Sequence, residues 1–170
     1  MNAQEAVRQQ LGFWHGVAGQ VLGDCGDALN ARVGDAKIGS IAAIYAHVVF
    51  GEDGIVNGMF QGKPLLFQEQ GFDTKTGVAH PGSPFQNEDW ANSVKMDLAS
   101  FQEYAAAVFA QTDAYLAGLS DAEMDRKIPG PVGETTVGWM VVNILATHFP
   151  QHLGEIAALK GVHGLKGLPF

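Results

Sequence analysis

Apolar and small residues recur at steps of three and four along four long segments of the chain, the period of a helix that buries one face. The first segment, from about Ala3 to Ala31, aligns Val7, Leu11, Trp14, Ala18, Val21, Cys25 and Leu29. The second opens at Ser40, a residue suited to an N-cap, and runs through Ile41, Ile44, Val48, Ile55 and Met59. The third begins near Asn87 to Asp89, where carboxylates complement a helix N-terminus. Its stripe is Trp90, Val94, Leu98, Phe101, Ala105, Val108, Thr112, Tyr115 and Leu119. The fourth starts near Thr135 and Thr136 and continues to about Lys160, with Gly161 as its stop. Ser120-Asp121-Ala122-Glu123 has the form of a capping box and predicts a short helix, ended by the turn Pro129-Gly130-Pro131. The connection from Gln61 to Gln86 carries Pro64, Pro81, Pro84 and four glycines, the character of a lid or binding loop that Phe67 and Phe72 can pin down. Apart from a short extended stretch at Leu65–Gln68, no strand alternation is visible. The pattern predicts an all-α fold, an antiparallel four-helix bundle with a long loop between helices 2 and 3, and a single domain over residues 1–170.

Composition narrows the functional classes. The chain has 170 residues, enough to bury a core without covalent staples. One cysteine excludes an intrachain disulfide framework and fits a reduced, cytoplasmic setting. Ten Lys and Arg against 18 Asp and Glu leave a formal charge of −8, which argues against nucleic-acid binding. Met1 to Gln10 lacks the order of a signal peptide, and the apolar run Ile41–Phe50 is too short for a membrane span of ~20 residues. No membrane or nucleic-acid partner is expected. Charged residues are sparse, at 16% against a usual ~25%, and glycine is abundant at 22 residues. On the fourth helix, Trp139, Val142, Phe149 and Leu153 point away from the remaining apolar line, so the helix is apolar almost all round. Burial of the second face in a subunit contact predicts a homodimer.

Candidate chemistry centres on histidine. His148 and His152 are four apart on the fourth helix and share one face. That face also carries Val137, Val141, Ile144, Leu145, Ile156 and Leu159, so two imidazoles sit on an apolar line. Two polar rings there need partners. Either they are hydrogen-bonded core histidines, or they bind a divalent ion, for which this helical spacing is suitable. His47, midway along the second helix, has Ala43, Gly51, Gly54 and Gly58 at its own angular position. Interior helix glycines each cost about 1 kcal/mol relative to alanine. They make room beside a ligand, permit close helix packing, or mark an early helix end. His148-Phe149-Pro150-Gln151-His152 lacks the glutamate of a metalloprotease motif. Glu155, seven residues after His148, is a second-shell partner, a general base or a solvated surface residue. Pro150 is unexpected inside a helix. His15, His80 and His163 read as surface or rim residues.

Three features together resemble the DinB-like (YfiT-like) metal-binding four-helix bundles. They are a histidine in mid-helix 2, within Ser40-Ile41-Ala42-Ala43-Ile44-Tyr45-Ala46-His47, the His-x-x-x-His of the last helix with the stretch His152 to Gly161, and the acidic turn Leu119 to Arg126. The resemblance implies that His47, His148 and His152 form a three-histidine site for a divalent transition metal, nickel, zinc or iron, and that the protein is a homodimer. Related mycothiol-dependent maleylpyruvate isomerases carry glutamate where this chain has His148.

A 2+ ion held by three neutral ligands keeps open positions for water or substrate and activates a bound thiol. Cys25 lies on the apolar stripe of helix 1, so the thiol is expected to be a low-molecular-weight co-substrate supplied from outside. The expected activity is a metal-dependent thiol S-transferase acting on a small electrophile, with Lys63 and Arg126 as candidate partners for the thiol's carboxylate. The alternatives are a non-catalytic, metal-binding, stress-associated dimer and a metal-dependent hydrolase in which Glu155 assists.

Overall fold

In the computed structural model, which describes residues 2–82, 87–131 and 133–170, the fold is an all-α bundle with one small hairpin. Helix α1 spans Ala3–Leu22 and is capped by the Asn2 side chain, which accepts from the Glu5 amide. Helix α2, Ile41–Asp53, starts at Ser40, whose hydroxyl accepts from the Ala43 amide, and continues as a π-helical segment, Gly54–Phe60. Short helices α3 (Leu66–Glu69) and α4 (Glu88–Ser93) lie between the bundle's halves. Helix α5 covers Leu98–Ala117, and α6, Asp121–Met124, follows the capping box at Ser120. Strands β1 (Lys127–Gly130) and β2 (Gly133–Thr136) then pair antiparallel. Helix α7 (Val137–Met140), a π-helical turn (Val141–Leu145) and α8 (Ala146–Val162) complete the chain.

Helix α2 is the central element, buried along almost its whole length against α5 and α8. Its side chains dominate the larger of two core clusters, with Phe101, Tyr104 and Val108 of α5 and Phe149, Leu153 and Ile156 of α8. A second cluster joins Leu11, Val56, Phe60, Leu116, Val137 and Val141. Lys160, fully buried, ties α8 to α1: its ammonium donates to the Val21 carbonyl and the Asp24 carboxylate. It thereby satisfies a carbonyl in the last turn of α1, where helices leave acceptors unpaired.

Tertiary contacts revise five expectations. Helix 1 stops at Leu22, and the remaining stripe residue Leu29 is delivered by a 3-10 turn, Gly26–Asn30. The single third helix is two, because residues 94–97 leave the helix to pair elsewhere. The Asn30 side chain bonds both the amide and the carbonyl of Met96, and the Asp97 amide donates to the Thr76 carbonyl. Leu65–Gln68 is not extended but gives rise to α3. Pro129-Gly130-Pro131 closes a hairpin rather than a plain turn; a side chain at Gly130 would strike Thr135 across the strands. Finally, the π-helical turn at Val141–Leu145 adds a residue to the register of helix 4 and rotates the faces beyond it. Phe149 and Leu153 therefore belong to this chain's own core, leaving Trp139 and Val142 exposed at 37% and 47%.

Phe67 and Phe72 pin the long connection to the bundle as expected. Pro84 and Gln86 of that connection lie outside the described residues. Its anchor is the fully buried carboxylate of Asp53, which accepts from the Leu66 amide (3.2 Å), the Phe67 amide (3.3 Å), the Asn57 side chain (2.8 Å) and the Tyr104 hydroxyl (2.8 Å).

Candidate metal centre

Helices α2 and α8 pack side by side and bring His47, His148 and His152 together. One ring nitrogen from each lies within 4.8 Å of the others, and the Nε2 atoms of His47 and His148 are 3.1 Å apart. The rings stand edge to face, with centroids 5.0, 5.0 and 4.6 Å apart. All three are half-buried.

Local devices set each ring. His152 donates from Nδ1 to the Glu155 carboxylate at 2.8 Å, which places the proton on that nitrogen and leaves Nε2 as the ring's lone-pair donor. His148 packs on Gly51: a Cβ there would come within 3.0 Å of its Cε1 atom and 3.4 Å of Nδ1. Gly54 faces open space and Gly58 would make only ordinary contact with Leu65. Of the three glycines near His47, Gly51 alone makes room for the site. Gly51→Ala should therefore lower metal affinity about tenfold by displacing one ligand, while Gly54→Ala leaves it unchanged; competition titration with a chelating dye distinguishes them. Pro150, between the two α8 histidines, cannot donate to the Ala146 carbonyl. Gln10 of α1 takes that role, donating through Nε2 at 3.2 Å, so the helix carries no stranded acceptor there.

The donor set fits a divalent transition ion. Burial, with lesser contributions from His152 and His47, pushes the His148 imidazole down to about 3. Burial likewise lowers His47, followed by His152, with Glu155 opposing. Both rings are thus neutral donors at neutral pH, the form that binds metal. Ligands at metal–nitrogen distances near 2.1 Å around a tetrahedral ion lie about 3.4 Å apart, near the 3.1 Å between the His47 and His148 Nε2 atoms and inside the 4.8 Å that bounds all three donors.

The depressed His148 value has a consequence for the metal-free protein. An unfolded chain takes a proton on this ring near pH 6.5, whereas the folded chain takes it only near pH 3. The unfolded state binds more protons between those values, so stability falls as pH drops through them. Thermal unfolding after chelation should show a midpoint that declines from about pH 7 to about pH 4.5, less steeply in His148→Gln.

Other expected partners lie elsewhere. Arg126 is engaged with both Glu123 oxygens and the Phe60 carbonyl, and Lys63 is exposed against Gln61. His80 and His163 are half-buried, as rim positions would be. His15 is not a surface residue: its ring stacks on Phe109 at 3.7 Å and bonds the buried Glu52 carboxylate at 3.0 Å. The signal for this pair was a carboxylate two residues after the apolar run Ile41–Phe50, still within α2.

The family model of the DinB superfamily matches residues 20–156, a span containing all three histidines. The chain belongs to the DinB superfamily. A solved structure of a conserved protein from Enterococcus faecalis shares this fold, with a TM-score of 0.81 over 96% of this chain and 99% of that one, at 18% identity. No curated protein matches the sequence. Within the DinB bundle, the histidines of this member come from the two helices that form its central seam. No helix among the described residues is long and apolar enough to cross a membrane.

Proposed function

We propose that this DinB protein binds a divalent transition metal, nickel, zinc or iron, through His47, His148 and His152 and acts as a thiol S-transferase on a small electrophile. The observation that carries the reading is the convergence of three imidazole donors, one of them hydrogen-bonded to Glu155. A 2+ ion supplies electrostatic activation of a thiol at neutral pH. His47, His148 and His152 would hold that ion, and imidazole, being an uncharged ligand, would leave its charge undiminished. Glu155 acts as a positioning residue, since its carboxylate oxygen is engaged on the far nitrogen of His152.

The thiol comes from a separate molecule. Cys25 is buried with its sulfur against the Val21 carbonyl, and desolvation raises its thiol above the ordinary value, the opposite of a reactive cysteine. In the proposed reaction the thiol sulfur attacks an electrophilic carbon, a C–S bond forms, the leaving group departs with its electron pair, and the thiol proton passes to solvent. Such a reaction belongs in the cytoplasm, where small thiols stay reduced. The homodimer expectation now rests on Trp139 and Val142, and sedimentation as a monomer at micromolar concentration would overturn it.

The test uses the metal-loaded protein with glutathione, bacillithiol or mycothiol and chlorodinitrobenzene. Conjugate formation that disappears with chelator is the expected result, and absence of turnover with every thiol rejects the transferase reading. Glu155→Gln should weaken metal binding about tenfold. Full metal retention with loss of an ester-hydrolysing activity would instead support the hydrolase alternative.

A further inference from the structure

The turn of α8 that carries His148 departs from regular helix on both sides. Before it, the π-helical turn Val141–Leu145 widens the register, and the Ala146 amide donates to the Val141 carbonyl, five residues back. After it, Pro150 has no amide to offer the Ala146 carbonyl. Pro150 also stands between His148 and His152, the two candidate ligands on this helix. The two histidine turns are therefore joined by one backbone hydrogen bond fewer than an ordinary helix provides.

Side chains occupy the acceptors of this stretch. Asn143 donates to the Trp139 carbonyl at 3.0 Å and Thr147 to the Asn143 carbonyl at 2.7 Å, both from within the same helical run. Gln10 differs, because it reaches the Ala146 carbonyl from α1, 136 residues away in sequence. Near the other end of α8, Lys160 reaches back to the Val21 carbonyl of α1. Helix α1 thus holds α8 near both ends, and its Gln10 tether lies two residues before His148. The His148 ring is placed closely from the other side: its Nε2 is 3.1 Å from that of His47, and a Cβ on Gly51 would come within 3.0 Å of its Cε1 atom. A ring so confined tolerates little movement of the backbone that carries it.

We infer that Gln10 is a positioning residue for His148, its bond to the Ala146 carbonyl replacing the one that Pro150 cannot make and holding the His148 turn in the metal-binding arrangement. The inference rests on the three-histidine reading of the site. Gln10 acts through the backbone of residues 146–148, and its effect on the ion is one of population. When only a fraction of the molecules hold the binding arrangement, the apparent affinity falls by that fraction. A role in stability alone would move the unfolding midpoint and leave the affinity of the folded protein where it was.

The probe is Co²⁺, titrated into the whole protein against a competing chelator and read by its visible absorption. Gln10→Met keeps the length of the side chain and removes the donor. It should weaken Co²⁺ binding about fivefold, the worth of one neutral hydrogen bond. Gln10→Lys retains a donor of similar reach and should bind as the parent does. Pro150→Ala returns an amide to position 150, and in that background Gln10→Met should leave the affinity unchanged. After chelation, amide hydrogen exchange at Thr147, His148 and Phe149 should run about fivefold faster in Gln10→Met, and no faster when Pro150→Ala is also present. Undiminished Co²⁺ affinity in Gln10→Met, an equal loss with and without Pro150, or unaltered exchange in the metal-free protein would each overturn the positioning role. A parent protein that takes up no Co²⁺ would instead reject the three-histidine reading, and the exchange measurement would still decide whether Gln10 holds the His148 turn.

Discussion

His148→Ala is expected to abolish stoichiometric metal in the purified protein. Structural zinc sites bind with about 10–16 kcal/mol in total, roughly 3–4 kcal/mol per ligand, so losing one of three ligands weakens affinity about 10²- to 10³-fold. His152→Ala should behave alike, because each supplies one of the three converging nitrogens. The measurement is metal content by mass spectrometry after dialysis, with circular dichroism to show that the bundle persists. His80→Ala and His163→Ala should retain the ion, since neither lies in the cluster. His15→Ala should also retain it but lose stability, as it leaves the Glu52 carboxylate buried without its partner. Retained metal in His148→Ala would reject the three-histidine site.

Asp53→Ala should cost about 3–5 kcal/mol, a large share of the 5–15 kcal/mol that stabilises a typical domain. The carboxylate is fully buried and accepts four hydrogen bonds, two of them from the backbone of α3. Removing it strands the Leu66 and Phe67 amides and the Tyr104 hydroxyl, which burial and the Asp53 charge together keep protonated far above the ordinary tyrosine value. Tyr104→Phe removes one donor only and should cost about 1–1.5 kcal/mol. Denaturant unfolding measures both losses. Limited proteolysis locates the first, with cleavage expected in residues 61–82 of Asp53→Ala well before the bundle unfolds. A loss below about 1 kcal/mol for Asp53→Ala would show that the connection is held mainly by Phe67 and Phe72.

Much of the architecture was legible along the chain because helices declare themselves by local periodicity. Ser40, Ser120 and Asn87 cap the elements they were expected to begin, each through a bond three residues on. The breaks were less legible. Nothing local marks Met96 as leaving the helix, since its backbone is claimed by Asn30, 66 residues away in sequence. The short hairpin at 127–136 was hidden for a different reason: four-residue strands are too brief for an alternating pattern to register. The two-sided apolar character of helix 4 misled in part, because the π-helical turn rotates Phe149 and Leu153 into the core.

The histidine spacing carried the candidate site further than any other feature. His148 and His152 share a face by helical geometry alone, and the resemblance supplied His47. Their meeting depended on the packing of α2 against α8, a contact between segments about 100 residues apart, which no local pattern encodes. Sequence alone determined the helical class, the capping residues, the pair on α8 and the absence of a reactive protein thiol, because each follows from neighbours within a few turns. Tertiary structure decided which glycine serves the site, how Gln10 compensates Pro150, what holds the long connection, and that His15 faces a buried carboxylate. Those outcomes are set by contacts between distant segments, where burial and the pairing of polar groups override local preference.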